Sequence, residues 1–223
     1  MAGEAKEEDQ AMDPVNVNDT VAVLKLGERE VRLVKAAPDV FRAAFAAARP
    51  VLPFGEFTVP PDRYDYENAE NFLTEDGLAG FSAGKNGWLM SLFSILPERG
   101  FLRAVAPIMR EAGNKLNCMV GANCTLHLVE AYEAAGFFKC AETVDDAALL
   151  RKLYGDRYVD DFIRDFGTPS HVFMVNRDWR DLGSVDAPEA IGLNGGVPVF
   201  PDYYSGKSYT AALAERLGRA KEV

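Results

Sequence analysis

The sequence predicts an α/β protein of the α+β kind, with a mixed, mainly antiparallel central sheet flanked by helices. Three observations lead there. Between residues 89 and 137 an apolar strand, a helix, a second strand and an amphipathic helix follow one another. Just upstream, two strand-like runs flank Gly84-Lys85-Asn86-Gly87, whose Asn-Gly pair supplies the positive φ angles of a tight hairpin. Downstream, two further strand-like runs, 138–144 and 171–176, enclose a helical insertion at 145–170.

Taken in order, residues 1–18 set Glu4, Glu7, Glu8, Asp9 and Asp13 against Lys6 with no hydrophobic period, so they read as a disordered acidic tail. Runs 21–26 and 30–34 predict a hairpin around Gly27-Glu28, and Pro38-Asp39 opens a helix that Pro50 and Pro53 end. A short helix is predicted over 65–73, then strands over 78–83 and 88–96. The next helix lies between Arg99 and Ala112, with Leu102, Val105, Ala106 and Met109 on one face. Pro107 within it means either a kink or a start near Ala104. Residues 115–120 are a strand and 125–135 a helix with Leu128, Ala131, Tyr132 and Ala135 at helical spacing, capped by Gly136. The insertion holds two helical patterns broken at Gly155 and ended at Gly167; beyond 178 comes a Gly/Pro/aromatic stretch and a short helix over 209–220. The organisation expected is a tail (1–18), one domain (19–177) and a C-terminal extension packed on it (178–223).

With 223 residues, 48% hydrophobic and 26% charged, one domain can bury a real core. No apolar run has membrane-spanning length, and the acidic start is unlike a signal peptide, so a soluble, cytoplasmic protein is expected. Three cysteines without paired spacing (Cys118, Cys124, Cys140) read as free thiols in a reducing compartment. A net charge of -10 disfavours nucleic acid as partner and favours cationic substrates such as amines.

The strand Gly87-Trp88-Leu89-Met90-Ser91-Leu92-Phe93-Ser94 before a helix, and the helix ending Tyr132-Glu133-Ala134-Ala135-Gly136-Phe137, resemble the core of the GNAT superfamily of acyl-CoA N-acyltransferases. The form is similar to divergent GNAT-like acyltransferases of phages and prophages. The resemblance covers roughly the second half of the ordered chain. It implies two neighbouring strands that splay apart, the first offering unpaired amides to the pantetheine arm of acetyl-CoA or another acyl-CoA. Phe93, Ser94 and Ile95 belong to that strand, and Arg99, Gly100 and Arg103 to the loop and helix start that would take the pyrophosphate. The loop keeps only Arg99-Gly100 of the family's run, with Phe101 and Leu102 where small residues are usual. Tyr132 occupies the place of the tyrosine that protonates the leaving thiolate; Asn123 or Thr125 would hold the pantetheine.

The expected activity is acyl transfer to a small-molecule or peptide amine by direct attack, with no membrane partner and a homodimer left open. Two alternatives stay open as well, a GNAT-fold binding or accessory protein without acyl transfer and a DNA-modifying enzyme. No general base can be assigned among Glu56, Glu75, Asp76, Ser91 and Ser94. The insertion would choose the acceptor through Tyr154, Tyr158, Asp160 and Asp161. Cys118, Cys124, His127 and Cys140 lack metal-ligand spacing, and no Asp orients His127 for a cysteine nucleophile. His171 reads as a strand-end polar residue, Asp145-Asp146 as a helix N-cap and Asp160-Asp161 as a solvated face.

Overall fold

The computed structural model describes residues 19–52, 55, 58, 65–121, 127–144, 146–182 and 186–219. The acidic tail, Glu56, Asn123, Cys124, Thr125 and Asp145 lie outside the described residues. The chain opens with the expected hairpin, β1 (Thr20–Leu26) and β2 (Arg29–Ala36), turning at Gly27 with φ +64°. β3 (Ala69–Thr74), β4 (Ala79–Gly84) and β5 (Leu89–Ser94) extend it into a five-stranded antiparallel sheet in sequence order.

β3 corrects the helix expected over 65–73. Phe72 packs into the core cluster of Phe81, Phe101 and Met109, whereas Leu73 packs on the opposite face with Phe41 and Phe93. A strand covered on both faces loses its polar alternation, and its apolar residues then imitate a helical repeat. The helix α1 (Pro38–Ala48), followed by a 3-10 turn at Arg49–Val51, supplies that second cover through Phe41 and Phe45.

A second sheet has the order β6-β8-β7-β10-β9, from β6 (Lys115–Gly121), β7 (Phe138–Thr143), β8 (Pro169–Val175), β9 (Gly192–Asn194) and β10 (Val197–Phe200). All its pairings are antiparallel except β10 on β7. The protein is therefore mixed α/β with two mostly antiparallel sheets and, among the described residues, six α-helices. β9 and β10 fall in the stretch read as irregular. They are only three and four residues long, and the one local signal for them was Gly195-Gly196, both at positive φ, as a two-residue hairpin turn demands.

α2 (Phe101–Ala112) runs through Pro107, which is exposed, as is Arg103, whose carbonyl it leaves without an i+4 donor. Its core face carries Phe101, Val105, Ala106 and Met109 buried, with the expected Leu102 half-buried against the same cluster. α2 and α3 (Leu128–Ala134) cover one face of both sheets around Leu116, Phe137 and Met174. On the other face α6 (Tyr203–Arg219) packs Leu213 and Leu217 on Phe173 and Val175, next to α4 (Ala147–Tyr154) and α5 (Asp156–Phe166). Fully burying each such side chain contributes about 1.5–3 kcal/mol. None of the described helices is long and apolar enough to cross a membrane.

Burial also sets an alkaline limit. The Cys140 thiol, beside the Phe173 carbonyl at 3.4 Å, is pushed from 9.0 up to about 12 by desolvation. Tyr66 and Tyr203 are pushed from 10.0 up to about 12 for the same reason. The native state holds these protons longer than the unfolded chain, so their stabilising contribution is full below the ordinary value and is lost as pH climbs to the native one. The urea midpoint is expected to fall steadily between pH about 9 and about 12, and Cys140→Ala should flatten the lower part of that fall. A midpoint independent of pH across this window contradicts the assignment.

Candidate functional site

Among the described residues, the backbones of the two sheets are bridged at one point. Trp88 and Lys115 form an isolated parallel bridge, and a clamp holds the strand starts together there. The Asn114 and Lys115 amides both donate to the Gly87 carbonyl, at 3.0 and 3.3 Å, while the buried Lys115 ammonium donates to the Asn86 carbonyl and to Asn114 Oδ1 and lies 5.6 Å from the Trp88 ring centroid. Gly87 is required here, since its φ is +81° and a Cβ would stand 2.4 Å from Asn114 Oδ1. Beyond the clamp β5 and β6 share no ladder among the described residues, and a cavity of about 490 Å³ occupies the split between them.

The β5 backbone is shaped at this place by a bulge. Gly80 pairs with Phe93 and Ser82 with Met90, so Ser91 and Leu92 together face Phe81. Ser91 sits at φ +51°, a left-handed conformation uncommon for a residue other than glycine, and its Oγ is 2.7 Å from the hydroxyl of the fully buried Tyr66. Past the bulge the Ile95 amide donates to Leu78 O at 2.8 Å. Alternation along an antiparallel ladder then turns the Ser94 amide away from β4, toward the open edge of β5, although none of Phe93, Ser94 and Ile95 lines the cavity. Phe93 packs on Phe41 and Phe45 beneath α1.

Tyr132 reaches the cavity from the α2/α3 side. The residues after it explain its placement, because Gly136 at φ +86° closes α3 with the Phe137 amide returned to Tyr132 O at 3.0 Å and the Gly136 amide to Glu133 O at 2.9 Å. The buried Phe137 ring then packs edge-on against Tyr132, centroids 6.1 Å apart. The Tyr132 hydroxyl has no hydrogen-bond partner among the described residues, and burial, with the Cys118 thiol next in effect, raises its pKa above that of an ordinary phenol.

From the opposite face His171 lines the same cavity. Its Nδ1 lies 2.8 Å from Asp146 Oδ2, and the Asp146 carboxylate is 1% exposed. The Thr143 hydroxyl donates to the same Oδ2 and accepts the His171 amide at 2.8 Å, while the Asp146 amide donates to Pro169 O at 2.9 Å. Asp146 stands at the N-cap position of α4 but makes no side-chain cap. It holds an imidazole instead, which corrects the capping role read from the sequence. The strand-end reading of His171 gives way to a buried, oriented ring 4.8 Å from the ring centroid of Tyr203. No local signal marked this pair, because its partners are 25 residues apart and the two helices of the insertion lie between them.

No family model, curated protein or solved structure matches the chain.

The other anticipated residues fall elsewhere. Arg99, Gly100 and Arg103 are exposed around the start of α2, where Gly100 at φ +99° leaves the first turn without a side-chain cap, and none of them lines the cavity. Of the carboxylates weighed as bases, Asp76 is committed to Arg29 at 2.7 Å and to Thr74 at 2.7 Å. In the insertion, Leu149, Leu153 and Tyr154 of α4 line the cavity, whereas Asp160 and Asp161 pair with Arg151 and Arg164, each at 2.6 Å, on the exposed side. Cys118 and Cys140 are buried and not disulfide-bonded.

Proposed function

We propose that the chain is an acyl-CoA-dependent N-acyltransferase of GNAT-like architecture, transferring an acetyl or related group to an amine. The observation that carries this reading is the β5/β6 split, which opens from a single bridge and encloses a cavity reached by the Tyr132 phenol. An unpaired strand edge is a template for an extended ligand, and the pantetheine arm, with its two amides, is one. Laid along β5, it would meet the Ser94 amide and carry the thioester to the bulge at Ser91. Backbone donors there would polarise the carbonyl as charge develops on its oxygen. The diphosphate end would reach the uncapped start of α2 beside Arg99 and Arg103.

Tyr132 is the acid in this reading. Its raised pKa keeps the phenol protonated through the neutral range. A departing thiolate held beside the buried Tyr132 would be partly desolvated too, so its own proton affinity would rise and the transfer would be better matched than in water.

Calorimetric titration with acetyl-CoA tests the reading. A Kd at or below about 100 μM, about -5.5 kcal/mol, is expected, with Ser94→Pro weakening it by about tenfold, one hydrogen bond's worth. That proline would sit at the open edge of β5, where its missing N–H takes nothing from the β4 ladder. No heat at millimolar acetyl-CoA removes the acyltransferase reading and leaves a binding protein built on the same fold.

A further inference from the structure

Resting on that reading, we infer that His171, oriented by Asp146, is the base that takes the acceptor's proton, and that the acceptor is a monoamine on an apolar or aromatic body. Tyr132 and His171 reach one cavity from opposite faces of the sheet. Acyl transfer to an ammonium needs a proton donor at sulfur and a proton acceptor at nitrogen, on either side of the carbonyl carbon. The split supplies both positions.

The geometry on the His171 side is that of a proton acceptor. Nδ1 is committed to Asp146, so Nε2 is the nitrogen left for a ligand. Asp146 is buried against Thr143 and the Pro169 carbonyl, and its second oxygen, Oδ1, is buried with no partner among the described residues. A buried carboxylate fixed by a threonine hydroxyl and bonded to one imidazole holds the ring's orientation and stabilises the charged ring once a proton arrives. Asp146 before α4 and Tyr203 on α6 contact the ring, and the other ionisable groups that share its cavity are Tyr154 on α4, Tyr204 and Lys207 on α6, and Tyr132 on α3.

The walls select the amine. Leu149, Leu153 and Tyr154 from α4 and Tyr203 and Tyr204 from α6 give the acceptor half an apolar, aromatic lining. Its one fixed charge among the lining residues is the Lys207 ammonium, seated over the rings of Trp88 and Tyr203 at 5.6 and 5.5 Å. A polyamine or lysine-rich tail would bring a second cation against Lys207 with no carboxylate in the lining to meet it. A single ammonium on an aromatic body meets stacking surface, and it loses its charge to His171.

The step balances. The ammonium gives one proton to His171 and so to solvent, and the freed lone pair forms the C–N bond at the thioester carbon. The tetrahedral adduct collapses with rupture of the C–S bond, the thiolate takes the Tyr132 proton, and the proton shed by the new amide nitrogen restores the phenol. Ammonium and acyl thioester become amide, thiol and one released proton.

The chain contains only two histidines, His127 and His171, so their ring signals in the NMR spectrum of the full chain are assigned with H127Q and H171Q. Phenethylamine at millimolar concentration is expected to shift the His171 signals and spare His127, which lies on the surface; spermidine is expected to leave both in place. In steady-state assays H171Q should lower kcat about 10²-fold, keep KM for acetyl-CoA, and lose the acid limb of the pH–rate profile. D146N, which keeps the ring but not its orientation, should lower kcat less and displace that limb, and it serves as the test if H171Q melts early. Acetyl-CoA binding with a His171 silent to phenethylamine, an H171Q enzyme with native kcat, or a spermidine response equal to that of phenethylamine each overturns the inference alone. A responsive His171 without acetyl-CoA binding overturns acyl transfer and the base role with it, and leaves an amine-binding subsite.

Discussion

Tyr132→Phe is expected to lower kcat for acyl transfer about 10²- to 10³-fold, within the range a positioned general acid contributes. The Kd for acetyl-CoA should stay within about a factor of two. The substitution deletes one oxygen and little else. The ring keeps its edge-on contact with Phe137, the backbone return from the Phe137 amide to Tyr132 O is untouched, and no described residue loses a hydrogen bond, so the melting temperature should hold. An interaction made only as the sulfur departs lowers kcat and kcat/KM together, and that is the pattern to look for. A thioester with a more acidic thiol leaving group needs less proton assistance, so the deficit of Tyr132→Phe should shrink with such a donor. Native kcat in the variant, or a deficit indifferent to the leaving group, would assign Tyr132 to packing alone.

The contrast between Tyr132 and His171 explains how much was legible beforehand. Tyr132 was readable because its placement is local: helical spacing up to Ala135, then a glycine at positive φ and a phenylalanine that folds back, all within six residues. The hairpin at Asn86-Gly87 and the order of elements from β4 to β8 were readable for the same reason, since turn chemistry and hydrophobic period are short-range. The His171–Asp146 pair is a product of topology. β7 and β8 are neighbours in the sheet, α4 and α5 are looped out between them, and Thr143 and Pro169 at the strand ends pull Asp146 under the imidazole. Nothing in a window of ten or fifteen residues around either partner records that. β3 was misread through the opposite failure, where long-range cover on both faces erased the local alternation that marks a strand. The division into two sheets was equally out of reach, because it depends on a ladder that stops after Trp88 and Lys115.

Ser91→Val is expected to destabilise the protein by about 3 kcal/mol, and its cost in activity should exceed what lost folded protein explains. Two terms add. A β-branched residue in the left-handed region costs roughly 2 kcal/mol over the native serine, and the hydrogen bond to the Tyr66 hydroxyl, 2.7 Å long, contributes roughly 1 kcal/mol more. Valine can escape the first term only by returning to the extended region, which removes the bulge and replaces the strain with lost packing. In a β5 without its extra residue, the positions after it shift by one and exchange faces, so the Ser94 amide now at the open edge would turn toward β4. The open edge of β5 would lose that donor while Phe93 would be driven from its contacts with Phe41 and Phe45. Ser91→Gly separates the terms, because glycine tolerates φ +51° and loses only the hydroxyl. It should cost about 1 kcal/mol or less and keep acyl transfer within about threefold of native, since the bulge remains. Urea titration gives the stabilities and initial rates under fully folded conditions give the activities. Equal activity losses in the glycine and valine variants would mean that the hydroxyl, and not the backbone it bends, is what the site uses.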